Sequence, residues 1–124
     1  MSENMNISEA ELEIMKVLWE QGGEVSTQVI NRCVADKNWK RTTVSTFLAR
    51  LTQKGAISCE KRGNIYYYTS LISAKKYRKM QTGNLIKSLY NGSVKDFAVA
   101  LFKEESLSEE DIKELKSIID GMEG

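Results

Sequence analysis

The 124-residue chain has no histidine, no proline and only two cysteines. Without histidine it lacks the side chain that most often serves as general base, proton shuttle or metal ligand near neutral pH. Without proline its helical segments run uninterrupted. Cys33 and Cys59 stand 26 positions apart with no histidine beside them, which matches neither a disulfide framework nor a zinc spacing. The expectation is a reduced intracellular chain with no metal and no cofactor. There is no glycine-rich phosphate loop and no serine or cysteine with a base to activate it, so an enzyme is not expected. Paired carboxylates occur only where helices start, and capping accounts for them there. No stretch approaches the ~18 apolar residues of a membrane span, and Met1 to Asn6 carry no basic segment leading into an apolar one. A cytoplasmic location is the resulting expectation.

What is present is charge, arranged in blocks. Net charge is only +1, but residues 1–30 carry −5, residues 31–62 carry +6, residues 63–95 carry +6 with no acidic residue, and residues 96–124 carry −6. A near-neutral total therefore hides a basic middle between acidic ends, and a basic middle suits a polyanion.

The hydrophobic pattern supplies the elements. Ser8-Glu9-Ala10-Glu11 reads as a capping box with an Ile7/Leu12 staple, and Leu12, Met15, Leu18 and Trp19 recur at helical spacing until Gly22-Gly23. A second helix opens at Ser26, with an inner face through Val29, Ile30, Cys33 and Val34. A third runs from Arg41 to Lys54, placing Val44, Phe47, Leu48 and Leu51 inward, and stops at Gly55. Ala56 to Glu60 and Ile65 to Thr69 read as strands joined by Lys61-Arg62-Gly63-Asn64. Three helices and a hairpin with a basic tip are the order of a winged helix-turn-helix, with the third helix as reader and the hairpin as wing. The predicted fold is mainly α: a winged helix-turn-helix over residues 1–72, then a helical dimerisation tail over residues 73–124.

The candidate DNA-binding residues come from that placement. Thr42, Thr43, Ser45 and Thr46 are small hydroxyl side chains that approach phosphates and base edges closely, and Lys40, Arg41 and Arg50 flank them. Capping or plain solvent exposure is the competing reading for any one hydroxyl. Lys61 and Arg62 at the wing suit phosphates beside the groove. Lys75, Lys76, Arg78 and Lys79 read as the solvated face of a helix. Tyr66-Tyr67-Tyr68 reads as strand packing rather than a stacking platform, Trp19 and Trp39 as core or hinge anchors, and Cys33 as a small hydrophobe.

In the tail, Ser73 to Tyr90 forms a basic helix, Asn91-Gly92 breaks it, and Ser93 starts another. Ser108 with Asp111 opens a last one carrying Leu115, Ile118 and Ile119. A tail of roughly fifty residues has little interior of its own. Its apolar residues Tyr77, Leu85, Leu89, Phe97, Leu101, Phe102, Leu115, Ile118 and Ile119 are therefore expected to pair two copies, which suits a two-fold symmetric site.

The run Thr43-Val44-Ser45-Thr46-Phe47-Leu48-Ala49-Arg50-Leu51-Thr52-Gln53-Lys54-Gly55 resembles the reader helix of the BlaI/MecI/CopY repressors. Glu11 to Trp19, Tyr66-Tyr67-Tyr68, Asn91-Gly92 and Leu107-Ser108 extend the resemblance along nearly the whole chain. It implies a dimeric repressor on an inverted-repeat operator, controlling β-lactam-resistance-type or metal-homeostasis genes. In the best-known members a signalled protease cuts the tail at an Asn-Phe bond. The matching place here reads Ala100-Leu101-Phe102, without the asparagine, and Ala100-Leu101 is the candidate cut. The copper-responsive branch carries paired Cys-x-Cys motifs in the tail, whereas this chain has no cysteine after Cys59. The expected partners are double-stranded operator DNA, a second copy and such a protease, with no membrane. The alternatives are a winged-helix module that binds another protein, or a repressor of the same family answering another signal such as a metal.

Overall fold

The computed structural model describes residues 6–104, 108–114 and 117. Helix α1 (Glu9–Gln21) starts as its sequence requires: Ser8 Oγ accepts from Glu11 N–H at 3.1 Å, and Glu11 Oε1 accepts from Ser8 N–H at 3.0 Å. Two donors that the first helical turn leaves unpaired are satisfied reciprocally. Gly22, at φ +71°, ends the helix. Helix α2 (Thr27–Cys33) is capped by Ser26, whose Oγ accepts from Val29 N–H. A 3-10 turn, Ala35–Lys37, closes on Asn38 in the left-handed region and leads into α3 (Arg41–Gln53).

Strands β2 (Ile57–Arg62) and β3 (Ile65–Ser70) form the expected hairpin, with a tighter turn than expected. Lys61 and Arg62 are strand residues, paired with Tyr66 and Ile65, so the turn is Gly63-Asn64 alone. Gly63 has φ +63°. A glycine at the first central position suits the type II′ turn that matches strand twist in two-residue hairpins.

The pattern did not disclose a third strand, β1 (Glu24–Ser26), which pairs antiparallel with β3 and makes the sheet order β1-β3-β2. Three residues are too few to show alternation, and their partner lies far along the chain.

The core lies between the sheet and the three helices. Ile14, Met15, Leu18, Ile30, Val44, Leu48, Leu51 and Ile57 are fully buried, each contributing about 1.5–3 kcal/mol by leaving water. Two assignments within it change. Cys33, placed on the inner face of α2, is exposed. Of the tyrosine run, only Tyr68 packs against the core, while Tyr66 is 43% exposed.

Helix α4 (Ala74–Tyr90) begins on the head. Trp19 Nε1 donates to Ile72 O at 2.9 Å and Ser70 Oγ at 3.1 Å, and its ring lies 5.8 Å from that of Tyr77. Trp19 thus ties the end of the sheet to the first turn of α4.

The chain divides into two compact units, Met1–Met80 and Gln81–Gly124. In the second, Asn91 and Gly92 both take positive φ and separate α4 from α5 (Val94–Glu104), and Tyr90 meets Phe97 edge-on at 5.5 Å. Ser108 caps the next helical residues reciprocally with Asp111, as expected. Leu115, Ile118 and Ile119 lie outside the described residues.

Candidate nucleic-acid interface

Helix α3 divides into two faces. Val44, Leu48 and Leu51 are buried and Phe47 packs beside them, so the 3.6-residue repeat leaves Thr42, Ser45, Thr46 and Ala49 as one exposed stripe. Lys40, Arg41 and Arg50 are exposed at its margins, and Thr43 sits half-buried at its edge. Thr46 Oγ1 donates to Thr42 O at 2.9 Å, one turn back. Its hydroxyl proton is therefore committed to the helix, while its methyl and lone pairs remain available.

Beside that stripe a groove of about 870 Å³ runs between α2 and α3. Thr27, Gln28, Asn31 and Arg32 line one side and Lys40, Arg41 and Ser45 the other, with Trp39 at the end against Phe47. Its lining contains three basic side chains and no carboxylate. Sequence reasoning misses the α2 residues because apolar positions dominate the pattern of that helix. The signal is nonetheless present in Thr27-Gln28 and Asn31-Arg32, polar pairs at helical spacing.

The wing's cations are placed differently from one another. Lys61 Nζ sits 5.5 Å from the centroid of the Tyr66 ring. Arg62 donates to Glu60 Oε2 at 2.8 Å and also to Glu24, and its guanidinium lies 4.8 Å from the Tyr67 ring centroid. Those hydrogen bonds, to Glu60 and then Glu24, hold Arg62 charged well above its ordinary range. Burial pushes the Tyr68 phenol up to about 12, aided by the Cys59 thiol opposite it, so this hydroxyl is a donor at neutral pH.

A further ion pair holds the reader helix from behind. Glu11, 1% exposed, receives a hydrogen bond from Lys54 just past the end of α3. Burial pushes its pKa up, but the Lys54 ammonium and the Ser8 N–H, with the charges of Lys54 and Arg50, outweigh this and leave the pKa lowered.

The tail candidates separate likewise. Tyr77 is 7% exposed and belongs to the head's own core, so it is not offered to a partner. Leu85, Leu89 and Phe102 are exposed, at 40%, 68% and 46%, and Phe97 and Leu101 are half-buried. Ala100 and Leu101 lie inside α5. Among the described residues no group of His, Cys, Asp and Glu could hold a metal ion, and no helix is long and apolar enough to cross a membrane.

Residues 7–121 match the family model described as penicillinase repressor. The chain belongs to that family. It is 32% identical over 114 residues to the penicillinase repressor of Bacillus licheniformis, which covers 92% of this chain and 89% of that protein. Among solved structures, the head of this penicillinase-repressor family member is similar to the DNA-binding domain of the repressor BlaI. That match has a TM-score of 0.54 and 37% identity, over 62% of this chain and 94% of that one. It is also similar to Bacillus licheniformis BlaI solved as a monomer in complex with the blaP half-operator. Here the TM-score is 0.50 and the identity 36%, over 58% of this chain and 88% of that one. The winged-helix expectation for the head is thereby met.

Proposed function

We propose that this chain is a DNA-binding transcriptional repressor, acting in the cytoplasm as a homodimer on an inverted-repeat operator. The observation that carries the reading is the exposed hydroxyl stripe of α3. It is bordered by Lys40, Arg41 and Arg50 and opens onto a groove without carboxylates, in a family with a member solved on half-operator DNA. Thr42, Ser45 and Thr46 are short enough to let the helix backbone sit deep in a major groove, with Thr43 at the margin. Lys40, Arg41, Arg50 and Lys61 would neutralise phosphates on either side.

The working division is a head over residues 1–72 and a dimerising tail over residues 73–124, with α4 lending Tyr77 to the head. Leu85, Leu89, Phe97, Leu101 and Phe102 are apolar side chains whose contact with water is unfavourable, and a second copy is the simplest cover. Two heads joined this way read two half-sites about one helical turn apart. Cleavage at Ala100-Leu101 fits the same scheme as a release step and requires α5 to open first, because a protease needs extended backbone. The genes controlled would be of the antibiotic-resistance type.

The test is binding of the full chain to a fluorescent duplex from the promoter upstream of its own gene, at two salt concentrations, with sedimentation of the complex. Salt-sensitive binding of two protomers is expected, since each neutralised phosphate contributes roughly −0.9 to the slope of log K against log salt. Binding that ignores salt, or a preference for random over promoter DNA, would refute it.

A further inference from the structure

The two neighbouring cations of the wing lie on opposite faces of the sheet. Register places Lys61 opposite Tyr66, Cys59 and Val25 opposite Tyr68, and Ile57 opposite Ser70, all on one face by strand alternation. Val25 and Ile57 are 2% and 1% exposed, so this is the face that the helices cover, and Thr27 of α2 follows on from β1 along the edge of β3, donating to Tyr66 O. Lys61 therefore stands on the side of α2 and α3. The opposite face carries Glu24, Ser58, Glu60, Arg62, Ile65, Tyr67 and Thr69, and on it the Arg62 guanidinium crosses the sheet. It pairs with Glu60 on its own strand, lies over Tyr67 on β3, and reaches Glu24 on β1.

We propose that Lys61, with Tyr66, is the wing's DNA-facing pair, and that Arg62 is a positioning residue, clasped by Glu24 and Glu60 to lock the short strand β1 to the wing. This rests on the DNA-binding reading and reassigns one residue within it. Two carboxylates around one guanidinium leave the outer face with net negative charge, which repels phosphate. The clasp also fixes the segment just after β1: Ser26 caps α2, and Thr27 and Gln28 line the groove beside the reader helix. Arginine suits the role because its planar fork serves two carboxylates while its flat face rests on an aromatic ring. Exposed pairs of this kind stabilise a fold little, so the consequence is order at β1 rather than overall stability.

The experiment uses full-length variants on promoter and random duplexes across a salt series, together with amide exchange at Val25 and Tyr68, the directly opposed pair of β1 and β3. Lys61→Ala is expected to weaken binding to both DNAs and lower the salt slope by about one, with exchange unchanged. Arg62→Ala and Arg62→Lys are both expected to speed exchange at β1, and the lysine variant to keep the slope of the parent. The double variant Glu24→Gln with Glu60→Gln opens the clasp from its acidic side and is expected to speed exchange at β1 as the Arg62 variants do, while keeping the salt slope of the parent within a few tenths. A lower slope in Arg62→Ala that lysine restores would make Arg62 a phosphate ligand and overturn the assignment. So would unchanged exchange at β1 in both Arg62 variants. If the parent chain binds no duplex at any salt, the DNA-binding reading fails, and exchange alone then decides whether the clasp exists.

Discussion

Glu11 carries two jobs in one side chain. It closes the capping box of α1 with Ser8, and it pairs with Lys54, 43 residues on, to fix the end of α3 against the first helix. Its lowered pKa makes the pair a source of pH dependence. The contribution is fully present above the ordinary carboxylate value near 4.5 and is lost as pH falls through the lower folded value. Glu11→Gln should therefore unfold earlier than the parent in urea at pH 7, with the difference narrowing below about pH 4.5. Thr46 offers the second test at this scale. With its hydroxyl proton given to Thr42 O, what it can show a base is the methyl group, as a thymine contact would need. Thr46→Val should keep promoter affinity. Thr46→Ala and Thr46→Ser should each lose roughly 1–3 kcal/mol on the promoter and much less on random DNA, read by competition binding. The capping half of Glu11 and the hydroxyl cluster around Thr46 were legible from sequence, because both are local. The Lys54 partnership and the committed proton were not, since neither leaves a mark on spacing.

At the scale of elements, α3 and the wing answer to different forces. α3 is held by burial: Leu48 is 1% exposed among core neighbours. Leu48→Ala should cost about 2–5 kcal/mol in a urea melt, through lost transfer energy and the cavity left behind. The wing is held by its turn and by cross-strand pairs. Gly63 at φ +63° has open space around it, so Gly63→Val meets no clash, yet forces a β-branched residue into a left-handed conformation. A penalty of about 1–3 kcal/mol should appear as faster amide exchange in β2 and β3, with the helices little changed. Helix starts and the hairpin were readable because capping residues, a glycine turn and apolar periodicity act over a few positions. The extent of the turn was misjudged because Lys61 and Arg62 are polar, and polarity alone does not separate a turn from the exposed end of a strand. Strand β1 was missed because its pairing with β3 is non-local.

At the scale of the whole molecule, the basic middle and acidic ends are a property of composition, and the helix-turn-helix makes part of that middle into a carboxylate-free groove. The exposed apolar side chains of Gln81–Gly124 are the other whole-chain feature. Leu89→Glu combined with Phe102→Glu should give a monomer in sedimentation equilibrium that binds a half-site and gains nothing from a full inverted repeat. A variant that remained dimeric would remove those residues from the interface. Sequence alone determined the family, the order of helices and hairpin, the face of α3 turned outward and the charge blocks, because local periodicity, capping and turn chemistry are written in neighbouring residues. Only the tertiary structure decided that Tyr77 belongs to the head, that Glu11 holds the reader helix through Lys54, that α2 lends a polar wall to the groove, and that Arg62 is bound to Glu24 and Glu60. Each of those joins residues far apart in the chain, and a long-range contact exists only once the fold has brought its two sides together.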